Sequence, residues 1–232
     1  MGQCKSLLKQ IEGDKILDLL LNEKPAAVTA SNGSYKKDSI SAVYPALPSK
    51  YKSVHCVKVY DGDTLTLDSG DRVRLIGIDA PEIKENQPYA QEAKMFVSSL
   101  CQKKDVYISF EPGQDETDRF GRSVAWVWVK QDDGFLNVNE AMIANGLASV
   151  YFYGKSRLQN AEKMIALQKS ARDGGKGKWS NFINTTVFKT KNGSAYHHSR
   201  NCSHLARSGN LQTIKASDGL DLGLSACRAC AL

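Results

Sequence analysis

Between residues 54 and 129, short apolar runs alternate with turn signals, and this rhythm limits the fold more than any other feature of the chain. Val54 to Tyr60 alternates in part and runs into the turn Asp61-Gly62-Asp63. Thr64 to Leu67 alternates again, Asp68 to Asp71 reads as a second turn, and Arg72 to Ile78 reads as a third strand. Val106 to Phe110 and Ser123 to Val129 supply two more. The apolar period turns helical over Tyr89 to Leu100, Asn137 to Asn145 and Arg157 to Arg172. Gly146 ends the second of these and Gly174-Gly175 the third. Five short strands with helices fit an α+β fold: a five-stranded OB-type Greek-key barrel with about three helices packed on it.

Three parts are expected. Residues 1–53 give a possible short helix, Ser6 to Glu23, and a Ser-, Ala- and Pro-rich linker, Ala26 to Lys50. Residues 54–182 form the main domain, and 183–232 a small module rich in Gly, His and Cys. Of the net charge of +6, the first part carries 8 Lys/Arg against 5 Asp/Glu, the last 6 against 2, and the middle 17 against 18. Basic flanks concentrate polyanions such as nucleic acid. A near-neutral middle suits a site that must also hold a cation.

The densest chemistry lies in Asp61-Gly62-Asp63-Thr64 and in the run Arg74 to Glu82. If the two strands pair, Asp63 and Asp79 converge. Two carboxylates with backbone oxygens and water suit a hard cation such as Ca²⁺. Pro81 stiffens the loop that aims Glu82. Arg74 and Asp79 are five apart, so alternation puts them on opposite faces unless the strand ends or twists between them. Asp118-Arg119-Phe120-Gly121-Arg122 adds cations, and a pair of arginines can clamp a phosphodiester. Each signal alone is weak, since an Asp-Gly-Asp turn is usually only a turn. The ordered set is what carries weight.

This set resembles the staphylococcal nuclease (thermonuclease) family. Tyr89-Ala90-Gln91-Glu92-Ala93, Val138-Asn139-Glu140-Ala141, Gly146-Leu147-Ala148 and Trp179-Ser180 add to the likeness, which spans about residues 54–182. The resemblance implies an OB-type barrel that cleaves single-stranded DNA and RNA with Ca²⁺, by attack of water at phosphorus, leaving 3′-phosphate ends. It implies Asp63 and Asp79 as side-chain calcium ligands and the Ala80 carbonyl as a third. It implies Glu82 as general base or water-orienting group, and Arg74 and Arg122 as the residues that bind the phosphate and stabilise its transition state. Arg119 and Phe120 stand where the best-known member has a Lys-Tyr pair, and Ala80 where it has Thr. Tyr151, Phe152 and Tyr153 are candidates for a base-stacking ring. The Glu82–Glu92 loop is short, which bears on the mobility of Glu82. The alternative within the family is a barrel that has lost catalysis and binds nucleic acid only.

Cys202, Cys227 and Cys230 lie in the last 36 residues with three of the four histidines, a grouping that reads as metal binding rather than a disulfide framework. A Cys-x-x-Cys knuckle with an upstream His and Cys is the inventory of a closed tetrahedral Zn²⁺ site. The module resembles small zinc-binding tails of the Tyr-His…Cys…Cys-x-x-Cys type found on nucleases and DNA-associated proteins. The Tyr-His pairing favours His197 as the ligand. His198 has the more usual gap to Cys202, and His204 is a third candidate. Arg200, Arg207, Lys215 and Arg228 suit a DNA-binding appendage, and a structural cap is the competing role.

Residues 1–30 show no basic start, apolar run and cleavage site, so export is not expected. A cytoplasmic monomer is the expectation. Met1-Gly2-Gln3-Cys4-Lys5-Ser6 fits an N-myristoylation pattern, with Cys4 open to palmitate; an unmodified start is favoured, and lipidation of Gly2 and Cys4 would make the protein peripheral to membranes.

Overall fold

The structure, a computed structural model, describes residues 42–152 and 158–230. The Ser6–Glu23 helix, the acylation pattern at Gly2 and Cys4, most of the Ala26–Lys50 linker and Tyr153 lie outside these residues. Ala42–Leu232 forms one compact unit. Among the described residues, no helix is long and apolar enough to cross a membrane.

The chain enters through β1 (Val43–Tyr44), β2 (Lys52–Asp61), β3 (Thr64–Leu67), β4 (Arg72–Leu75) and β5 (Ile78–Asp79), then α1 (Ala90–Cys101). It continues through β6 (Lys104–Ser109), β7 (Ser123–Gln131), β8 (Gly134–Asn137), α2 (Val138–Ala144), β9 (Ser149–Val150) and α3 (Ala161–Asp173). The strands pair in the order β7-β4-β3-β2-β6, and β6 pairs β7 in turn, which closes a five-stranded barrel. β4 and β7 are parallel, and the other barrel pairs are antiparallel. Closure removes the free edges that an open sheet of this size would present.

The alternation in β2 is incomplete because the strand is bulged. Its register on β3 shifts between Cys56 and Lys58 and again between Val59 and Asp61. Cys56 and Val59 still point inward and are buried. Val59, Leu65, Val73, Val106 and Val127 have less than 1% of their surface exposed and fill the barrel. Each such side chain contributes roughly 1.5–3 kcal/mol of burial. α1 turns Ala93, Phe96, Val97 and Leu100 inward. Asn137 caps α2, its side chain accepting from the Glu140 amide at 3.0 Å. Asn139 is fully buried; it accepts from the Val127 amide and donates to the Ile76 and Ala125 carbonyls, pinning α2 to the chain beyond β4.

β1 and β9 are too short, at two residues each, to show a pattern in the sequence. β1 nevertheless binds β8 within the stretch whose composition suggests a linker. The run expected as one strand from Arg72 to Ile78 is broken after Leu75. Gly77 adopts φ +77°, and β5 pairs with β9 rather than continuing β4. A Cβ at Gly77 would lie 2.6 Å from both Leu158 and Met164, so the turn also needs glycine for space.

The last segment contains β10 (Thr186–Thr190), β11 (Ala195–Tyr196), β12 (Leu211–Lys215), α4 (Ala216–Asp221) and β13 (Ser225–Ala226). β10 and β12 are antiparallel, and β11 and β13 are parallel. Val187, Tyr196, Ala216, Leu220 and Leu224 pack in one cluster with Ala171 of α3 and with Trp179. This segment therefore shares its core with the helix that precedes it. Arg172 of α3 reinforces the junction with a forked pair to Asp221 of α4, at 2.8 and 3.2 Å.

Candidate active site and metal centre

One cleft of about 950 Å³ opens beside the barrel. Its floor comes from the β2–β3 turn and the β4–β5 corner. Gly62 makes the floor possible: a Cβ there would sit 2.7 Å from that of Ala80 and 2.8 Å from that of Ala93. The close approach seats Asp63, 6% exposed, beneath Ala80, whose amide donates to Asp63 Oδ2 at 2.9 Å. Thr64 Oγ1 donates to the other oxygen at 3.1 Å.

Arg74 joins the two carboxylates. Its Nη1 lies 2.9 Å from Asp63 Oδ2 and its Nη2 3.3 Å from Asp79 Oδ1. The break after Leu75 is what lets residues five apart share one face. Glu82 follows on the same rim, its amide bonded to Gln87 Oε1 at 2.9 Å and its carbonyl accepting from the Gln87 amide at 3.2 Å. The short loop after Glu82 is thus braced across its own base.

The acidic side of the cleft carries more negative charge than Arg74 balances. Burial pushes the Asp63 carboxyl up from 3.8 to about 7; Arg74 and the Ala80 amide oppose this, while Asp61 and Asp79 add to it. Glu82 is also raised, by burial first and then by Asp61, with Arg228 opposing. A buried carboxylate with acidic neighbours and hydrogen-bonded oxygens is chemistry that a hard divalent cation relieves, and the donor set fits one.

The same cleft is lined by Arg119, Phe120 and Arg122. Burial acts to raise Asp118, but its bonds to Arg122 and to the Phe120 amide outweigh that and hold it below its usual range. It grips Arg122 through Nε at 2.8 Å and Nη2 at 2.7 Å. Phe120 is 68% exposed, with the Arg119 and Arg122 guanidiniums 4.7 and 5.4 Å from its ring centre. Tyr151 and Phe152 line the cleft as well. Asp63, Arg74, Asp79, Glu82, Arg119, Phe120 and Arg122 thus line one cleft. Arg122 is held by Asp118 and has no direct contact with the acidic group.

Sequence reasoning missed three features of this cleft. Asp61 adds to the acidic field, and a hint of it stood in the Asp-Gly-Asp turn. Asp118 restrains Arg122, a fork that four-residue spacing allows. Arg228, 149 residues from Asp79, places Nη2 at 3.0 Å from Asp79 Oδ1 and 4.0 Å from Glu82 Oε1, and no local pattern announces it.

Behind that arginine lies the second centre. The ligand atoms of His197, Cys202, Cys227 and Cys230 all fall within 4.8 Å of one another. The parallel β11–β13 pair brings them together: the Cys227 amide donates to the Tyr196 carbonyl at 2.8 Å, next to His197. His197 is fixed in turn by paired backbone bonds to Phe188. Cys202 and Cys227 sulfurs are 3.9 Å apart. Two thiolates on a tetrahedral Zn²⁺, at about 2.3 Å each, stand about 3.8 Å apart. His198 instead meets the ring of Tyr196 edge-on at 5.6 Å. His204 lies outside the cluster, with Nδ1 3.4 Å from Cys227 Sγ. The cluster can hold a metal such as zinc.

A closed five-stranded barrel with an acidic group and arginines over one cleft defines an OB-type protein with a polar, cation-ready site. Residues 72–181 match the family model described as staphylococcal nuclease homologue. A thermonuclease of Staphylococcus hyicus is 33% identical over 132 residues, covering 54% of this chain and 74% of the relative. An uncharacterized endonuclease of Escherichia coli O157:H7 is 36% identical over 128 residues, covering 53% and 74%. One of Haemophilus influenzae is 30% identical over 145 residues, covering 61% and 74%. The chain belongs to the staphylococcal nuclease family.

Proposed function

We propose that the protein is a calcium-dependent nuclease that hydrolyses phosphodiester bonds in single-stranded DNA and RNA and leaves 3′-phosphate ends. The observation that carries this reading is the gathering of Asp63, Arg74, Asp79, Glu82 and Arg122 in one cleft. Asp63, Asp79 and the Ala80 carbonyl would hold Ca²⁺, which when bound supplies a Lewis acid to a phosphate oxygen. Arg74 binds the phosphate and, as charge grows on its oxygens, stabilises it through the guanidinium fork. Arg122, released from Asp118, does the same. Glu82, its carboxyl raised above the usual range by burial, takes the proton from the attacking water. Phe120, Tyr151 and Phe152 offer faces for stacking bases. His197, Cys202, Cys227 and Cys230 would bind one structural Zn²⁺, and residues 183–232 form the module that it staples.

The test is hydrolysis of single-stranded DNA and RNA with Ca²⁺ and analysis of the product ends. Glu82→Gln should lower kcat by about 10²–10⁴, the usual worth of a general base, and Arg122→Ala should lower it comparably. Products should accept label at 5′ ends and resist 3′ extension until a phosphatase is added. Wild-type rates in both variants would overturn the assignment. Binding without cleavage in the wild type would favour the non-catalytic module.

A further inference from the structure

The cleft contains a fourth arginine that comes from the other end of the chain. Arg228 lies inside the Cys227–Cys230 knuckle, and 72% of its side chain is exposed. An ion pair so exposed contributes little to stability, so its value to the fold does not explain it. Its placement, by contrast, is tightly built. The Cys227 amide is bonded to Tyr196, and the Cys230 amide to the Cys227 carbonyl at 3.2 Å. The segment that carries the knuckle shares a core with α3, and Arg172 ties α3 to Asp221. At Gly223 the backbone passes so near Phe152, which lines the cleft, that a Cβ would lie 2.8 Å from its ring. The knuckle is thus mounted over the cleft rather than tethered beside it.

Asp79 Oδ1 accepts from two guanidiniums, Arg74 Nη2 and Arg228 Nη2. Only Arg228 is free to leave, because Arg74 is anchored by Asp63 and by the Leu75 carbonyl. A cation on the acidic group would supply the positive charge that Arg228 now gives Asp79. The long exposed side chain can then swing to the anion nearest the cation.

We propose that Arg228 is a substrate-binding residue: the Cys227–Cys230 knuckle delivers it to the nuclease cleft, where it passes from Asp79 to a phosphate of the bound single strand. The proposal rests on the nuclease reading and adds a third cation, from the C-terminal module, to Arg74 and Arg122. Before substrate arrives, Arg228 shields the acidic group. It joins the two metal centres functionally, since a knuckle folded around its ligands fixes where the guanidinium starts.

The experiment measures binding of a fluorescein-labelled twelve-residue oligothymidylate by anisotropy, with Ca²⁺ and across a salt series, in a Glu82→Gln background so that the DNA survives. Arg228→Ala should weaken binding about 5- to 10-fold and flatten the log-log salt slope by about 0.7, the share of one phosphate contact on a single strand. Arg228→Lys should recover part of the affinity and the whole slope, because it keeps the charge and loses only the fork. Lys191→Ala makes the same charge change on an exposed part of the same module and should stay within twofold. If Arg228→Ala matches Lys191→Ala, the proposal is overturned. If Arg228→Ala binds more tightly, Arg228 is a plug rather than a ligand, which overturns it as well. If the parent binds no DNA and the wild type cleaves none, the nuclease reading itself fails and takes the proposal with it.

Discussion

The carboxylate cleft and the Cys/His cluster gather two donor sets of different chemistry, carboxylate oxygens in one and thiols with an imidazole in the other. The cleft lies on a barrel whose interior is filled by buried aliphatic side chains, and its geometry is held by protein bonds: Arg74 to Asp63 and Asp79, Gln87 to Glu82, Asp118 to Arg122. The C-terminal segment has a core of a few side chains, several borrowed from α3 and Trp179. A unit so small gains much from a staple. Hard oxygen donors suit a reversible, reactive cation site, and soft sulfur donors suit a structural one.

That contrast can be broken by removing one metal at a time. Cys202→Ser, or stripping zinc with a high-affinity chelator, should produce the largest structural effect, since structural Zn²⁺ binding is worth on the order of 10 kcal/mol. Hydrogen exchange should show protection lost across residues 186–230 and kept at barrel residues such as Leu65 and Val106. Equal loss in both regions, or none in either, would erase the distinction. Calcium chelation should leave exchange in both regions nearly unchanged.

A smaller effect is expected at the seam. Arg172→Ala removes the fork to Asp221 and leaves a partly buried carboxylate, a loss of about 1–3 kcal/mol. If the segment depends on the barrel for its core, thermal unfolding should show the C-terminal segment melting ahead of the barrel. A single unshifted transition would show that the seam contributes little.

The smallest effect sharpens the account of the cleft. Burial pushes the Asp63 carboxyl in the folded protein up to about 7, against 3.8 in the unfolded chain. Its contribution therefore makes the folded state less stable as pH rises between those values. Calcium must expel the carboxyl proton, so its affinity should rise with pH to about 7 and then level off. Calorimetry in buffers of different ionisation enthalpy should detect proton release at pH 6 and little at pH 8. Pairing of Asp63 with Arg74 strong enough to keep it ionised would remove the dependence.

The barrel was legible because its strands announce themselves by alternation and its turns by Gly and Asp. β1 and β9 were not, since two residues carry no period, and the bulges in β2 blur its own. The Asp63, Arg74 and Asp79 grouping could be read because all three lie at or next to the ends of short consecutive strands. Their convergence still required the break at Gly77, which the five-residue spacing demanded without revealing how it would be met. The cysteines of the second centre were legible by type and spacing. Spacing did not separate His197 from His198; the β11–β13 pairing turns His197 to the cysteines and leaves His198 against Tyr196. Arg228 was visible only as one basic residue among several, because its role depends on the packing of two distant segments.

The most direct test of the central claim is the initial rate of single-stranded DNA hydrolysis against free calcium, for the wild type and Asp79→Ala. The account predicts a rate near zero in EGTA, a saturating rise with calcium in the wild type, and a curve for Asp79→Ala displaced to much higher calcium with a lower plateau. A wild-type rate that persists in EGTA, or a variant whose curve overlays it, would contradict the assignment of this cleft as a calcium-dependent nuclease site.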